Sequence, residues 1–147
     1  MNEALIHNWN KKITNRDKVY HLGDFSFGDE QQTIKIIERL NGQINLIKGN
    51  HDSIAKKRNV INKLGFVKDY YELKEKQVGH RIIMFHYPIM SWNAKHHGSI
   101  HLYGHVHSGG HRDRALKEGH SMNVGVDVNG YEPVSLDEVL DKLKIKL

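Results

Sequence analysis

Four short apolar runs in this chain stop at the same kind of place. VYHLGD reaches Asp24, INLIKGNHD reaches Asn50, His51 and Asp52, RIIMFHYP reaches His86, and IHLYGHVHS reaches His105 and His107. Each run is strand length and is broken by glycine or proline, so the reading is four β-strands rather than helices. In an open α/β sheet, ligands collect where the carboxyl ends of strands meet. Gly23, Gly49 and Gly104 let the backbone turn sharply at those ends. His105 and His107 are two residues apart, so in an extended segment they point the same way. Taken singly, Asp24 reads as a turn residue, His86 as a core histidine and Asn50-His51-Asp52 as a turn before a helix. Four such ends in 147 residues make coincidence a poor account of the set.

The segments between these runs carry helical periodicity. Leu5, Ile6, Trp9 and Ile13 form one stripe over residues 3–13. Ile34, Ile37 and Leu40 do the same over 29–41, starting near Asp29 and ending before Gly42. The strand–helix–strand order from Val19 to Ile47 implies a parallel crossover. Ser53 is placed to cap a helix running to about Leu64, which Gly65 closes. YYELKEKQ and HRIIMFH flank Val78-Gly79 as an antiparallel pair, and the nearly unbroken apolar RIIMF suits a strand covered on both faces. NVGVDV alternates, with Val124, Val126 and Val128 on one face, and predicts a further strand. Ser135 and Glu138 make a capping box before a last helix built on Leu136, Val139, Leu140 and Leu143. The expected class is α/β, with mixed β-sheet flanked by helices, and residues 1–147 form a single domain.

Composition narrows the chemistry. Cysteine is absent, so any metal must be held by nitrogen and oxygen ligands. There are 12 histidines, and histidine is the commonest metal-binding side chain. The formal charge of +5 favours a phosphate-bearing partner by long-range attraction. Its lysines are scattered over solvated faces, and no basic–aromatic interleaving of a nucleic-acid module accompanies them. No apolar run is long enough to span a bilayer, and MNEALIHNWNKK lacks the features of a signal peptide. A soluble, cytoplasmic protein is expected.

The ordered series GD, GNHD, FH and GHVH resembles the calcineurin-like metallophosphoesterase family, in its small bacterial or phage type. The resemblance runs from Asp24 to YEPVSLDEV. It implies that Asp24 bridges two divalent metals, that Asn50, His86 and His105 complete the ligands of one, and that His107 binds the other. It also implies that His51 protonates the leaving group with Asp52 as the acid beside it. A carboxylate can bridge cations about 3.5–4 Å apart that hold the attacking and leaving oxygens of a phosphoryl group, with a metal-activated water as nucleophile. Asn50 offers a neutral oxygen, which limits the charge gathered in the site. The ligand set suits Mn2+, with iron, nickel or zinc as alternatives, at one or two ions per chain. The implied activity is hydrolysis of phosphomonoesters or phosphodiesters, nucleotides among the substrates. Between two of the strands, HYPIMSWNAKHHGS reads either as a substrate loop, with contacts through Trp92, His96 and His97, or as an ordinary surface loop with Trp92 in the core.

One departure stands out. The family opens on a strand ending in Asp-x-His that completes the first metal site, and no such strand precedes Asp24. His7, His21 and Asp29 are the available substitutes, and their spacing favours none of them. The first metal would then keep only Asp24 and His107, and turnover is expected to be impaired. A strand edge would also lie open to another segment or a second protomer, so a homo-oligomer is one expectation. The rival to an enzyme is a non-catalytic metal-binding or interaction protein on the same scaffold.

Overall fold

The computed structural model describes residues 3–25, 28–107 and 119–146. Helix α1 (Glu3–Lys12) buries Ile6 and Trp9, and the tryptophan Nε1 donates to the Asn41 carbonyl. Strand β1 (Lys18–His21) leads to α2 (Glu30–Arg39) and then to β2 (Gln43–Ile47), which pairs parallel with β1. The crossover is therefore as the apolar spacing predicted. Asp29 caps α2 in a reciprocal capping box with Gln32. Its carboxylate is thus engaged with backbone N–H and offers little to a metal.

The helix expected over residues 53–64 is broken. A 3-10 turn, Ser53–Lys56, precedes a short helix α3 (Arg58–Ile61), and neither start carries a side-chain cap. Asp52 stands at the capping position, but its carboxylate is turned to other donors, described below. Strand β3 (Val67–Lys68) then joins β2 in parallel and completes a sheet ordered β1-β2-β3.

Strands β4 (Tyr70–Lys74) and β5 (Arg81–Phe85) form the expected antiparallel pair. Strand β6 (Ile100–Tyr103) and β7 (His120–Asn123) add to β5 in parallel, giving a mixed second sheet ordered β4-β5-β6-β7. The predicted NVGVDV strand is corrected here, since β7 ends at Asn123 and Val126–Val128 is a 3-10 turn. Side-chain bonds replace the ladder: Asn123 Oδ1 accepts from Gly125 N–H, and Asn129 Nδ2 donates to the carbonyls of Asn123 and Gly125. Asparagine competes with regular structure in this way. Helix α4 (Leu136–Lys142) follows the capping box of Ser135 and Glu138.

Two cores result. One joins the first sheet to α1, α2 and α3 through Ile6, Trp9, Ile37, Ile44, Leu46 and Val60. The other lies between the two sheets and α4, with Leu22, Ile47, Ile82, Met84, Ile100, Leu102 and Val139 packed together. Burying each of these side chains contributes about 1.5–3 kcal/mol. Filling the space between the sheets with apolar atoms leaves the polar strand ends gathered at one rim.

Candidate metal centre

His86 follows β5 and is 1% exposed. Its Nδ1 lies 2.6 Å from the Leu22 carbonyl oxygen, so the ring N–H donates there and the Nε2 lone pair faces the other way. That lone pair meets Asn50 Oδ1 at 3.1 Å, His105 Nδ1 at 3.2 Å and Asp24 Oδ2 at 3.6 Å. The ligand atoms of Asp24, His86 and His105 all lie within 4.8 Å of one another. Two of the facing atoms, the asparagine and aspartate oxygens, carry no hydrogen, so the cluster turns lone pairs toward one point. A divalent cation satisfies that arrangement, and fixing an imidazole through its second nitrogen is the usual way to present it to a metal.

The turns that deliver these groups are tight. Asp24 and His105 both sit in left-handed backbone, at φ 58° and 61°, a conformation that costs energy for a residue with a Cβ and that clusters at functional sites. A Cβ on Gly23 would stand 2.1 Å from His86 Nδ1, and one on Gly49 would stand 2.6 Å from Asp24 Oδ1. Both glycines are required because the histidine ring and the aspartate occupy the space a side chain would take.

Asp52 is 3% exposed, and its carboxylate is spent on backbone. Oδ2 accepts from Asp24 N–H at 2.7 Å and Gly49 N–H at 2.6 Å, and Oδ1 accepts from Phe25 N–H. One side chain thus ties the loop after β1 to the loop after β2. The resemblance implied an acid working beside His51, whereas the described geometry makes Asp52 a clamp on the loops that present Asp24 and Asn50.

The other expected residues are placed as follows. His51 is exposed, its N–H donates to Asp24 Oδ1 at 3.2 Å, and its Nε2 lies 3.2 Å from Asn50 Nδ2. His107 lies outside the three-residue cluster, with Nδ1 2.9 Å from Asp127 Oδ2. Trp92 is 7% exposed, its Nε1 donates to the Ser99 carbonyl, and its ring packs on His101 under Lys95 Nζ. Of the two readings of Trp92, the core tryptophan is the one that matches this packing. His96 and His97 are exposed on the 3-10 turn Lys95–His97, outside the cluster. Sequence reasoning missed Tyr87, whose ring lies 4.9 Å from that of His86 and 4.7 Å from that of His105. It missed Asp127 too.

A cavity of about 670 Å³ opens beside the cluster, with Asp24, His86, His105, His107 and Asp127 on its wall. It continues along β1, which is the edge of its sheet and has β2 as its only strand partner among the described residues. No described strand precedes β1.

Two further histidines are held neutral. The His21 ring packs between Trp9 and Phe25, its Nδ1 accepts from Gly23 N–H, and burial pushes its pKa down to about 4. His101 sits between Trp92 and Tyr103 with Nδ1 donating to the Ile83 carbonyl and Nε2 accepting from Ile89 N–H. Burial lowers its pKa as well.

The pattern of the calcineurin-like phosphoesterase superfamily domain matches residues 2–125. An uncharacterized protein of Methanocaldococcus jannaschii is 34% identical over 145 residues, covering 95% of this chain and 73% of its own length. The crystal structure of a protein of unknown function from Aquifex aeolicus superposes with a TM-score of 0.70 at 26% identity, over 95% of this chain and 83% of that one.

Proposed function

Because this chain belongs to the calcineurin-like phosphoesterase superfamily, we propose that it is a metal-dependent hydrolase of phosphate esters, acting on phosphodiesters or small phosphate compounds such as nucleotides. The observation that carries the reading is the convergence of His86 Nε2 with Asn50 Oδ1, His105 Nδ1 and Asp24 Oδ2 at 3.1–3.6 Å, while His86 Nδ1 is taken by the Leu22 carbonyl. Asp24, Asn50, His86 and His105 are the residues that would hold a divalent cation, with Mn2+ the choice proposed for this nitrogen and oxygen set. When bound, such a cation supplies Lewis-acid polarisation of the phosphoryl group and lowers the pKa of water.

The protein's own groups do the rest. His51 is exposed beside Asp24 and is the group that would protonate the departing oxygen as a general acid. Asp52 keeps Asp24 and Gly49 in register through backbone bonds. Tyr87 packs against His86 and His105 and limits how far their rings tilt. With the residues at one rim of a single domain, the substrate enters from the cavity bordering Asp24 and His107.

The test is hydrolysis of bis(p-nitrophenyl) phosphate and p-nitrophenyl phosphate by metal-stripped protein with and without added Mn2+. Activity that requires the cation and disappears in His86→Ala is expected. Equal rates with and without metal, or a His86→Ala protein as active as the parent, would overturn the reading.

A further inference from the structure

The turn after β7 holds a carboxylate that no expected role accounts for. Asp127 Oδ2 lies 2.9 Å from His107 Nδ1, with the two side chains 32% and 78% exposed. An ion pair this open to water contributes little to stability, of order 0–1 kcal/mol. Its surroundings are nevertheless built. Asn129 Nδ2 donates to the carbonyls of Asn123 and Gly125, and Asn123 Oδ1 accepts from Gly125 N–H. Asn123 Nδ2 also donates to the Val106 carbonyl at 2.7 Å. The turn and the histidine loop are therefore joined at neighbouring residues, once through Val106 and once through His107. Gly125 has an ordinary φ of −59°, so it is not there for backbone freedom. A Cβ at that position would stand 2.9 Å from Asp127 Oδ1, and the missing side chain leaves room for the carboxylate.

We propose that Asp127 is a positioning residue for His107: it holds the proton on Nδ1, fixes the ring, and leaves the Nε2 lone pair for a divalent cation. The inference rests on the proposed metal-dependent function and on the expectation from the sequence that His107 binds the other cation, beside the cavity that both residues line. A carboxylate accepting from the far nitrogen of an imidazole sets its tautomer and raises its basicity as a ligand. His86 meets the same requirement with the Leu22 carbonyl, so two histidines at one rim are oriented by two different acceptors. A caged turn in place of a continued strand is what brings this carboxylate to the histidine.

The experiment is a long-range 1H–15N correlation spectrum of histidine-labelled, metal-stripped protein, followed by a Mn2+ titration. In the parent, His107 should be in the Nδ1–H form. Asp127→Ala should shift it towards the Nε2–H form and weaken Mn2+ binding about 10–100-fold. Asp127→Asn keeps an acceptor oxygen and should restore the tautomer, with affinity between the two. A His107 tautomer that is the same in the parent and in Asp127→Ala overturns the inference, as does unchanged Mn2+ affinity in Asp127→Ala. Mn2+ that perturbs neither His86 nor His105 in the parent would instead overturn the metal-dependent reading on which the inference rests.

Discussion

Replacing Asp52 by asparagine separates a structural clamp from a catalytic acid. The carboxylate accepts three backbone N–H groups, two at Oδ2 and one at Oδ1. Asparagine has one acceptor oxygen. If that oxygen takes the Asp24 and Gly49 donors, the amide NH2 confronts Phe25 N–H, and the reverse orientation strands two donors instead of one. Hydrogen bonds to a charged group contribute about 1.5–3 kcal/mol, and a buried donor left unpaired costs about 1–3 kcal/mol. The two losses overlap, so Asp52→Asn should destabilise by about 2–4 kcal/mol. For a chain of this size that is a fall of roughly 5–15 °C in Tm. Asp52→Ala strands all three donors and should cost more. The assay is thermal and urea unfolding of metal-stripped protein, which removes any stabilisation by bound cation. An Asp52→Asn protein within about 0.5 kcal/mol of the parent would refute the clamp. Destabilisation seen only when metal is present would place the carboxylate on the cation rather than on the backbone.

Two other outcomes are expected. His51→Ala should lower turnover about a hundredfold to ten-thousandfold while metal content stays near that of the parent. The loss should shrink for nitrophenyl esters, whose leaving groups need little protonation, and equal losses for good and poor leaving groups would remove His51 from proton transfer. The pH dependence of stability follows from His21 and His101, whose folded pKa values lie below the ordinary 6.5. The unfolded chain takes up these protons first, so their contribution is whole above pH 6.5 and is lost as pH falls below it, for His21 down to about 4. At about 1.4 kcal/mol per pH unit for each group, His21 alone should cost about 2 kcal/mol by pH 5. Urea titrations of metal-free protein at pH 7.5, 6 and 5 check this, and a flat profile contradicts it.

Much of the site could be read from strand ends because strands convert sequence position into spatial position. Asp24, Asn50, His86 and His105 each follow an apolar run, and parallel strands put those ends at one rim whatever the loops do. The helices α1, α2 and α4 were legible for a similar reason, since their apolar spacing matches the faces they bury. What the pattern missed was decided by side-chain hydrogen bonds. Asn50-His51-Asp52 looks the same whether Asp52 caps a helix or binds the backbone of a loop nearly thirty residues away, and only the fold brings Asp24 N–H and Phe25 N–H within reach. The alternation of Val124, Val126 and Val128 pointed to a strand, but Asn123 and Asn129 satisfy the local backbone themselves. An asparagine at each end of the seven-residue segment NVGVDVN, with its glycine, was the available signal. The sequence left Trp92 open between a stacking residue and a core residue, and the loop folds back so that its ring covers His101.

The central claim is that Asp24, Asn50, His86 and His105 hold a divalent cation between the ends of the two sheets. Calorimetric Mn2+ titration of metal-stripped protein, the parent against His86→Ala, tests it most directly. Saturable binding in the parent, weakened at least about tenfold in a folded His86→Ala protein, is the predicted result. The same affinity in both proteins would contradict it.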